Sequence, residues 1–315
     1  MLHADLARAF QERARSGKVC LGIHSSAMSP QLVELYGLVG LDFVIVGAEV
    51  ESIDMGRMED MIRAADAART VPIVKLRRPD PNLIGEAMNA GAPMVMIPHV
   101  THRRQLEELV RGAMFEPEGL RGECPISRYN GYGALSLVES HDAANQSHAI
   151  IPILEDRDAL DHLDELMSVE QVDIFEIGPF DLSRSLGETG QAYNGPKTLA
   201  AIDRICAAAQ RHGKAVLAPV WNKRDHGSYR EVLEHQMEAL IARGINCLYE
   251  LETSLLAVHM SRLKLLKHVR EVTEDEAPAT TNGARPPAAT NGAAKPAAAK
   301  PAAAKPAAAK PAAAK

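Results

Sequence analysis

The sequence predicts an α/β fold, a (β/α)₈ TIM barrel, and two features carry that prediction. Eight short runs rich in β-branched and aliphatic residues recur along the chain, separated by longer stretches of helical periodicity. The runs are continuously apolar rather than alternating, as parallel strands covered by helices require. Eight such units in about 250 residues suit a barrel of this kind. A doubly wound parallel sheet is the competing architecture. It is disfavoured because no G-x-G-x-x-G follows the first run and no P-loop occurs.

The elements follow in order. The first run, VCLGIHS (19–25), comes after a charged amphipathic stretch, and QLVELYGLVG then follows Ser29-Pro30, where Ser suits an N-cap and Pro a first helical residue. FVIVGAE (43–49) leads to MEDMIRAADAA, PIVKLR (72–77) is the third run, and MVMIPHV (94–100) precedes HRRQLEELVRGAM. AIIPILE (149–155) and DIFEIGP (173–179) are the fifth and sixth, LAAIDRICAAAQRHG a helix, and AVLAPVW (215–221) and NCLYELE (246–252) the last two. In SLLAVHMSRLKLLKHV the residues Leu255, Leu256, His259, Met260, Leu263, Leu266 and Val269 form an apolar stripe suited to packing or an oligomer contact. One connection is irregular: about 48 residues separate the fourth and fifth runs, where one helix needs roughly a dozen. Its surplus includes FEPEGLRGECPISRYNGYG, and such insertions usually build an active-site rim or a subunit contact.

Composition divides the chain in two. Residues 277–315 hold 19 Ala and 7 Pro, repeat K-P-A-A-A and carry +6, so residues 1–276 carry −12 of the overall −6. The tail reads as a solvated, disordered arm without chemistry, and 1–276 as one domain. An acidic body argues against nucleic acid as a partner. No run approaches a membrane span and the N-terminus lacks a signal-like apolar segment, so a soluble cytoplasmic protein is expected. Cys20, Cys124, Cys206 and Cys247 form no CxxC pair and read as reduced small side chains.

In a barrel, function sits at the C-terminal strand ends. Those ends carry His24, Glu49, Lys75 with Arg77, His99, Glu155, Asp181, Trp221 with Asn222, and Glu250 with Glu252. Glu155 and Asp181, on adjacent strands, offer oxygen ligands with open positions that suit Mg²⁺ or Mn²⁺. A cation would also remove the repulsion between them. Strand-end carboxylates also cap helices, so spacing alone leaves both readings open.

The segments I-L-E-D (153–156) and E-I-G-P-F-D-L-S (176–183) resemble the metal-binding signature of the HpcH/HpaI family of metal-dependent aldolases. The likeness extends through LGIHSS, LDFVIVGAE, GAPMVMIPHV, FEPEGLRG and ETSLL, covering most of residues 17–260. It implies a (β/α)₈ barrel assembled as a homo-oligomer, a trimer or hexamer. It also implies a site for Mg²⁺ first, or Mn²⁺ or Co²⁺, that binds a 2-oxo acid and a second carbonyl substrate. Carried over by position, Glu155 and Asp181 are the metal ligands, and Gly178 and Pro179 shape the substrate loop. A metal-chelated 2-oxo acid forms its enolate readily, which supports aldol cleavage, aldol addition and oxaloacetate decarboxylation.

The sequence departs from that pattern where proton transfer is expected. The family's I-D-G-E-H is V-G-A-E-V here, so Gly47 and Val50 replace an Asp and a His, while Glu49 is kept. Lys75 replaces an Arg, with Arg77 two residues later, which keeps charge but loses the planar fork. Three readings follow. In the first, His24 and His99 supply the missing acid/base groups, or decarboxylation generates the enolate without a base in a specialised biosynthetic condensation. In the second, Lys75 forms a Schiff base with the substrate. The third is a 2-oxo-acid and metal binder without turnover. In the long loop Arg121, with Arg128 and Tyr129, supplies donors for a distal carboxylate of the second substrate or for a neighbouring subunit.

Overall fold

The computed structural model describes residues 4–51, 53–221, 229–254, 258–260, 262–264 and 267–268. Met1–Leu266 make one unit and Lys267–Lys315 another. Asn222, Leu255, Leu256, Leu266, Val269 and the tail 277–315, all singled out above, lie outside the described residues.

The first unit is a closed barrel of eight parallel strands in sequential order, β1 (Cys20–Ser25), β2 (Phe43–Gly47), β3 (Val71–Lys75), β4 (Met94–Ile97), β5 (Ala149–Leu154), β6 (Ile174–Ile177), β7 (Ala215–Val220) and β8 (Cys247–Leu251). Closure comes from β8 pairing with β1, Cys247 opposite Cys20 and Leu251 opposite His24. All eight runs are strands, but most stop short of the C-terminal bound the apolar pattern suggests. Thus β4 ends at Ile97 because Pro98 has no N–H for the ladder, while Val100 beyond it stays apolar through burial.

Both strand faces are buried, and a period of two sorts the side chains. Phe43 and Ile45, Val71 and Ile73, Met94 and Met96, Ile151 and Ile153, and Cys247 and Tyr249 fill the barrel interior. Val44, Val46, Val74, Val95, Ile150 and Leu154 face the helices instead. The same parity aims three polar residues inward near the C-terminal ends: His24 two after Gly22, Lys75 two after Ile73, and Glu176 two after Ile174.

Helices Pro30–Leu38, Met55–Ala68, Pro81–Asn89, Arg103–Ala113 and Pro196–His212 pack outside, starting where the sequence supplies caps. Asp54 accepts from the Arg57 N–H at 2.8 Å and Asp80 from that of Asn82 at 2.9 Å. Among the described residues no helix is long and apolar enough to cross a membrane, and all four cysteines are free.

The part of the long connection that carries Arg121 and Arg128 packs away from the C-terminal ends. Arg121 is buried, donates to Asn89 Oδ1 from Nε and Nη2 (3.3 and 2.8 Å) and to His148 Nδ1 from Nη1 (2.8 Å), and stacks over Phe115 and Tyr129. Asn89 ends the helix before β4 and His148 directly precedes β5, so this cluster lies at the N-terminal end of the barrel. Arg128 pairs with Asp66, near the end of helix Met55–Ala68, on the same side. The expectation that Arg121 binds substrate is therefore corrected: its guanidinium is held at the end opposite the mouth.

Candidate active site

The C-terminal mouth divides into two groups of polar side chains with Lys75 between them. On one side Glu155, just after β5, is 3% exposed, and its Oε1 accepts the backbone N–H of His99 at 3.0 Å. The His99 Nδ1 lies 3.0 Å from Asp156 Oδ2 and 3.4 Å from Glu155 Oε1. His99 adopts φ 56°, a left-handed conformation unusual for a side-chain-bearing residue, which places its N–H on Glu155. Asp181 opens the helix Pro179–Ser185, is 44% exposed and accepts from Arg184 at 2.7 Å. Its charge reaches His99: burial works to lower the imidazole pKa, but the Asp156 hydrogen bond and the charges of Glu155, Asp156 and Asp181 raise it overall.

Gly178 is required beside Glu155. A Cβ at that position would stand 2.6 Å from Glu155 Oε2, so the carboxylate reaches the space over the Gly178 Cα. Pro179 is buried at the first turn of the helix and fixes the turn that presents Asp181. The sequence-predicted metal ligands and loop residues thus lie at neighbouring strand ends, as expected of β5 and β6.

In the centre Lys75 Nζ lies 2.7 Å from Glu49 Oε2. Burial alone would lower the pKa of this amine, but Glu176, Glu49 and Glu155 together raise it well above the ordinary lysine value. Lys75 is an ammonium held by carboxylates. Glu176, 1% exposed inside the barrel, accepts from the Tyr249 hydroxyl through Oε1. Burial pushes the Glu155 and Glu176 carboxyls up to about 7, against the pull of Lys75. Arg77 is exposed on the loop after β3.

On the far side His24 is the next-to-last residue of β1, with its Nε2 3.3 Å from Glu51 Oε1. Glu252 closes this side, accepting from the Ser26 N–H (2.7 Å), the Ala27 N–H and the Tyr36 hydroxyl (2.6 Å), and so ties β8 to the loop after β1. Trp221 meets Phe180 edge to face at 4.9 Å, putting an aromatic wall beside the Asp181 helix.

Glu51, Glu176 and Asp156 were not singled out by sequence. Glu176 sits within an apolar run, and its signal was parity: Ile174 faces inward, so a carboxylate two residues on must as well. Glu51 had a fainter signal, a glutamate four residues after the Gly47 that replaces a carboxylate.

A family model described as HpcH/HpaI aldolase/citrate lyase matches residues 21–245. The 5-keto-4-deoxy-D-glucarate aldolase of Shigella boydii serotype 18 (strain CDC 3083-94 / BS512) is 28% identical over 213 residues, covering 67% of this chain and 82% of that protein. Among solved structures, an HpcH/HpaI aldolase/citrate lyase family protein from Burkholderia cenocepacia J2315 superposes with a TM-score of 0.73 at 24% identity, covering 84% of this chain and 99% of that one. The citrate synthase SbnG gives a TM-score of 0.70 at 24% identity, covering 83% and 98%.

Proposed function

The chain belongs to the HpcH/HpaI aldolase/citrate lyase family and is a carbon–carbon lyase or synthase; on that premise we propose that its barrel mouth makes or breaks the bond next to the carbonyl of a 2-oxo acid, pyruvate or the enolate of oxaloacetate, with a divalent cation held by Glu155 and Asp181. The observation that carries this reading is the buried Glu155, oriented by the His99 N–H and given room by Gly178, on the strand next to the one that leads into Asp181. Its donors are carboxylate oxygens, which suit Mg²⁺ first and Mn²⁺ or Co²⁺ next. Among the described residues no group of three or more His, Cys, Asp and Glu is placed to hold a metal ion, so the reading rests on the pair Glu155 and Asp181.

When bound, such a cation polarises the ketone and stabilises the enolate. The chain's own residues do the rest. The Lys75 ammonium supplies positive charge to the substrate carboxylate, while Glu49 and Glu176 keep it protonated. That protonation disfavours Schiff-base chemistry, because an ammonium has no lone pair for the carbonyl carbon. Gly178 and Pro179 keep the loop against Glu155 free of side-chain bulk. Exposed Arg77 is available to a second carbonyl substrate carrying a carboxylate.

The reading includes residues 1–276 as the catalytic domain and the tail 277–315 as an accessory arm. Its setting is a cytoplasmic homo-oligomer, a trimer or hexamer. Free cysteines suit a reducing compartment, and Leu38 and Val39, 79% and 68% exposed at one helix end, suit a subunit contact.

The test is oxaloacetate consumption with Mg²⁺ or Mn²⁺. Activity abolished by EDTA, and by Glu155→Ala or Asp181→Ala in folded protein, is expected. Turnover that persists in both variants or in EDTA would end the metal-centred reading, and binding of the 2-oxo acid without turnover would favour a binding protein.

A further inference from the structure

Gly47 is the last residue of β2 and, two after Ile45, shares the inward-facing parity of that strand. A Cβ placed on it would stand 2.3 Å from the Glu51 Cδ and 2.4 and 2.5 Å from its two carboxylate oxygens. The chain bends at residues 49–51, so Glu51 folds back and its carboxylate occupies the space a side chain at 47 would fill. The Val50 N–H donates to Glu51 Oε2 at 3.3 Å, and Glu51 Oε1 lies 3.3 Å from His24 Nε2. Both side chains are largely buried, 16% exposed for His24 and 9% for Glu51, whereas Val50 between the two glutamates is 84% exposed.

We propose that His24 and Glu51 are the proton-transfer pair of this enzyme, His24 as the base that deprotonates the methyl carbon of the bound 2-oxo acid and Glu51 as the carboxylate that positions it. The proposal rests on the 2-oxo-acid reading of the mouth. Glu51 Oε1 stands 3.3 Å from Nε2 without a hydrogen bond to it in this structure; in the proposed pair this contact closes into a hydrogen bond as substrate binds, leaving Nδ1 to take the proton. The C–H bond breaks, the proton moves to Nδ1, and the bonding pair becomes the C=C of the enolate with its charge on the former carbonyl oxygen. The reverse step returns the proton to carbon. Glu51 then faces the imidazolium, and the pair separates charge only as far as a neighbouring carboxylate.

Three further observations support the assignment. Lys75 acts electrostatically on both His24 and Glu155, which puts the pair and the proposed metal ligands around the same mouth. His99, the other histidine of the mouth, has its Nδ1 committed to Asp156. The charged and titratable groups facing His24 are Glu51, Lys75, Glu49, Glu252 and Tyr249; burial first, and Lys75 next, lower the imidazole to about 4, so the resting ring is neutral but a weak base, and the charge it gains on deprotonating substrate has to be met by Glu51.

Oxaloacetate decarboxylation reaches the enolate by losing CO₂, whereas exchange of the pyruvate methyl protons requires a base. The test follows exchange of pyruvate protons in D₂O by NMR and oxaloacetate decarboxylation in parallel, both with full-length protein and Mg²⁺. Wild type should do both. In His24→Gln the ratio of exchange to decarboxylation should fall roughly 100-fold, within the usual contribution of a general base. Glu51→Gln should lower it as well, and carries the test alone should His24→Gln fail to fold. In the Glu51→Ala background, Gly47→Asp returns a carboxylate to the vacated space and should restore the ratio in part. A ratio unchanged in both single variants overturns the proposal and leaves the 2-oxo-acid reading standing. A wild type that decarboxylates oxaloacetate without exchanging pyruvate also overturns it, and a wild type that does neither takes both down.

Discussion

Lys75 Nζ lies 2.7 Å from Glu49 Oε2, and this ion pair holds the centre of the barrel mouth. The amine also lies in the field of Glu176 and Glu155, so it compensates several partly or fully buried carboxylates at once. Removing it leaves those charges unmet, and breaking a buried pair by deleting one partner costs about 3–5 kcal/mol. Lys75→Met is therefore expected to be folded but strongly destabilised in urea titrations. Borohydride treatment of wild type with pyruvate should leave the intact mass unchanged, and a covalent adduct on Lys75 would contradict the ammonium assignment.

Arg121 should matter for stability and not for substrate. Its guanidinium is buried between Phe115 and Tyr129 and satisfies Asn89 Oδ1 and His148 Nδ1. Truncation strands those acceptors, at about 1–3 kcal/mol for each buried group left unpaired. Arg121→Leu is expected to lower the melting temperature while the KM for oxaloacetate, measured well below melting, stays at the wild-type value. A raised KM without loss of stability would restore the substrate-binding role that the loop sequence suggested.

Two histidines set the acid limit of stability. Burial, and then the neighbouring cation, depress His24 to about 4 and His148 well below the ordinary value. In the unfolded chain each titrates near 6.5, so between pH 6.5 and the folded value unfolding takes up a proton. Stability from these groups is fully present above pH 6.5 and falls as pH drops, at up to about 1.4 kcal/mol per pH unit for each proton. His148→Asn keeps an acceptor toward Arg121 without a titrating ring. Urea unfolding of this variant at pH 7, 6 and 5 should show a shallower acid limb than wild type, and an equal slope would refute the assignment.

The barrel was legible because burial of both strand faces leaves an unbroken apolar run, and β1 through β8 each wrote one. Glu155 and Asp181 were legible because a carboxylate at the end of such a run interrupts it. Glu51 was not, since its place depends on a bend that brings it back over Gly47, and linear spacing carries no record of that bend. Arg121 was misread for a related reason: the direction in which a long connection leaves the barrel is set by packing of Phe115, Tyr129 and His141 into one cluster, not by local sequence.

A divalent cation bound to the folded barrel alone stabilises it by mass action, by about 2.7 kcal/mol at a free concentration one hundred times its Kd. Wild type should accordingly melt higher in Mg²⁺ than in EDTA. Glu155→Gln and Asp181→Asn should abolish the difference. A shift that survives in both variants would place the cation elsewhere.

Gly178→Ala isolates the support of Glu155 from its charge. The Gly178 φ of −89° is open to any L-residue, so backbone strain is not at issue. The added methyl would stand 2.6 Å from Glu155 Oε2 and 2.8 Å from its Cβ, so the carboxylate must move although no charge is altered. Loss of support around a metal-binding side chain typically weakens binding roughly 10–100-fold. The Mg²⁺ concentration for half-maximal oxaloacetate turnover should rise by that factor in Gly178→Ala. Gly85→Ala is the control: its Cβ meets nothing within 4 Å and lies in a helix interior, where alanine adds about 0.5–1 kcal/mol of stability. Equal Mg²⁺ dependence in the two variants would mean that Glu155 tolerates displacement, and its role as a ligand would then lose its geometric basis.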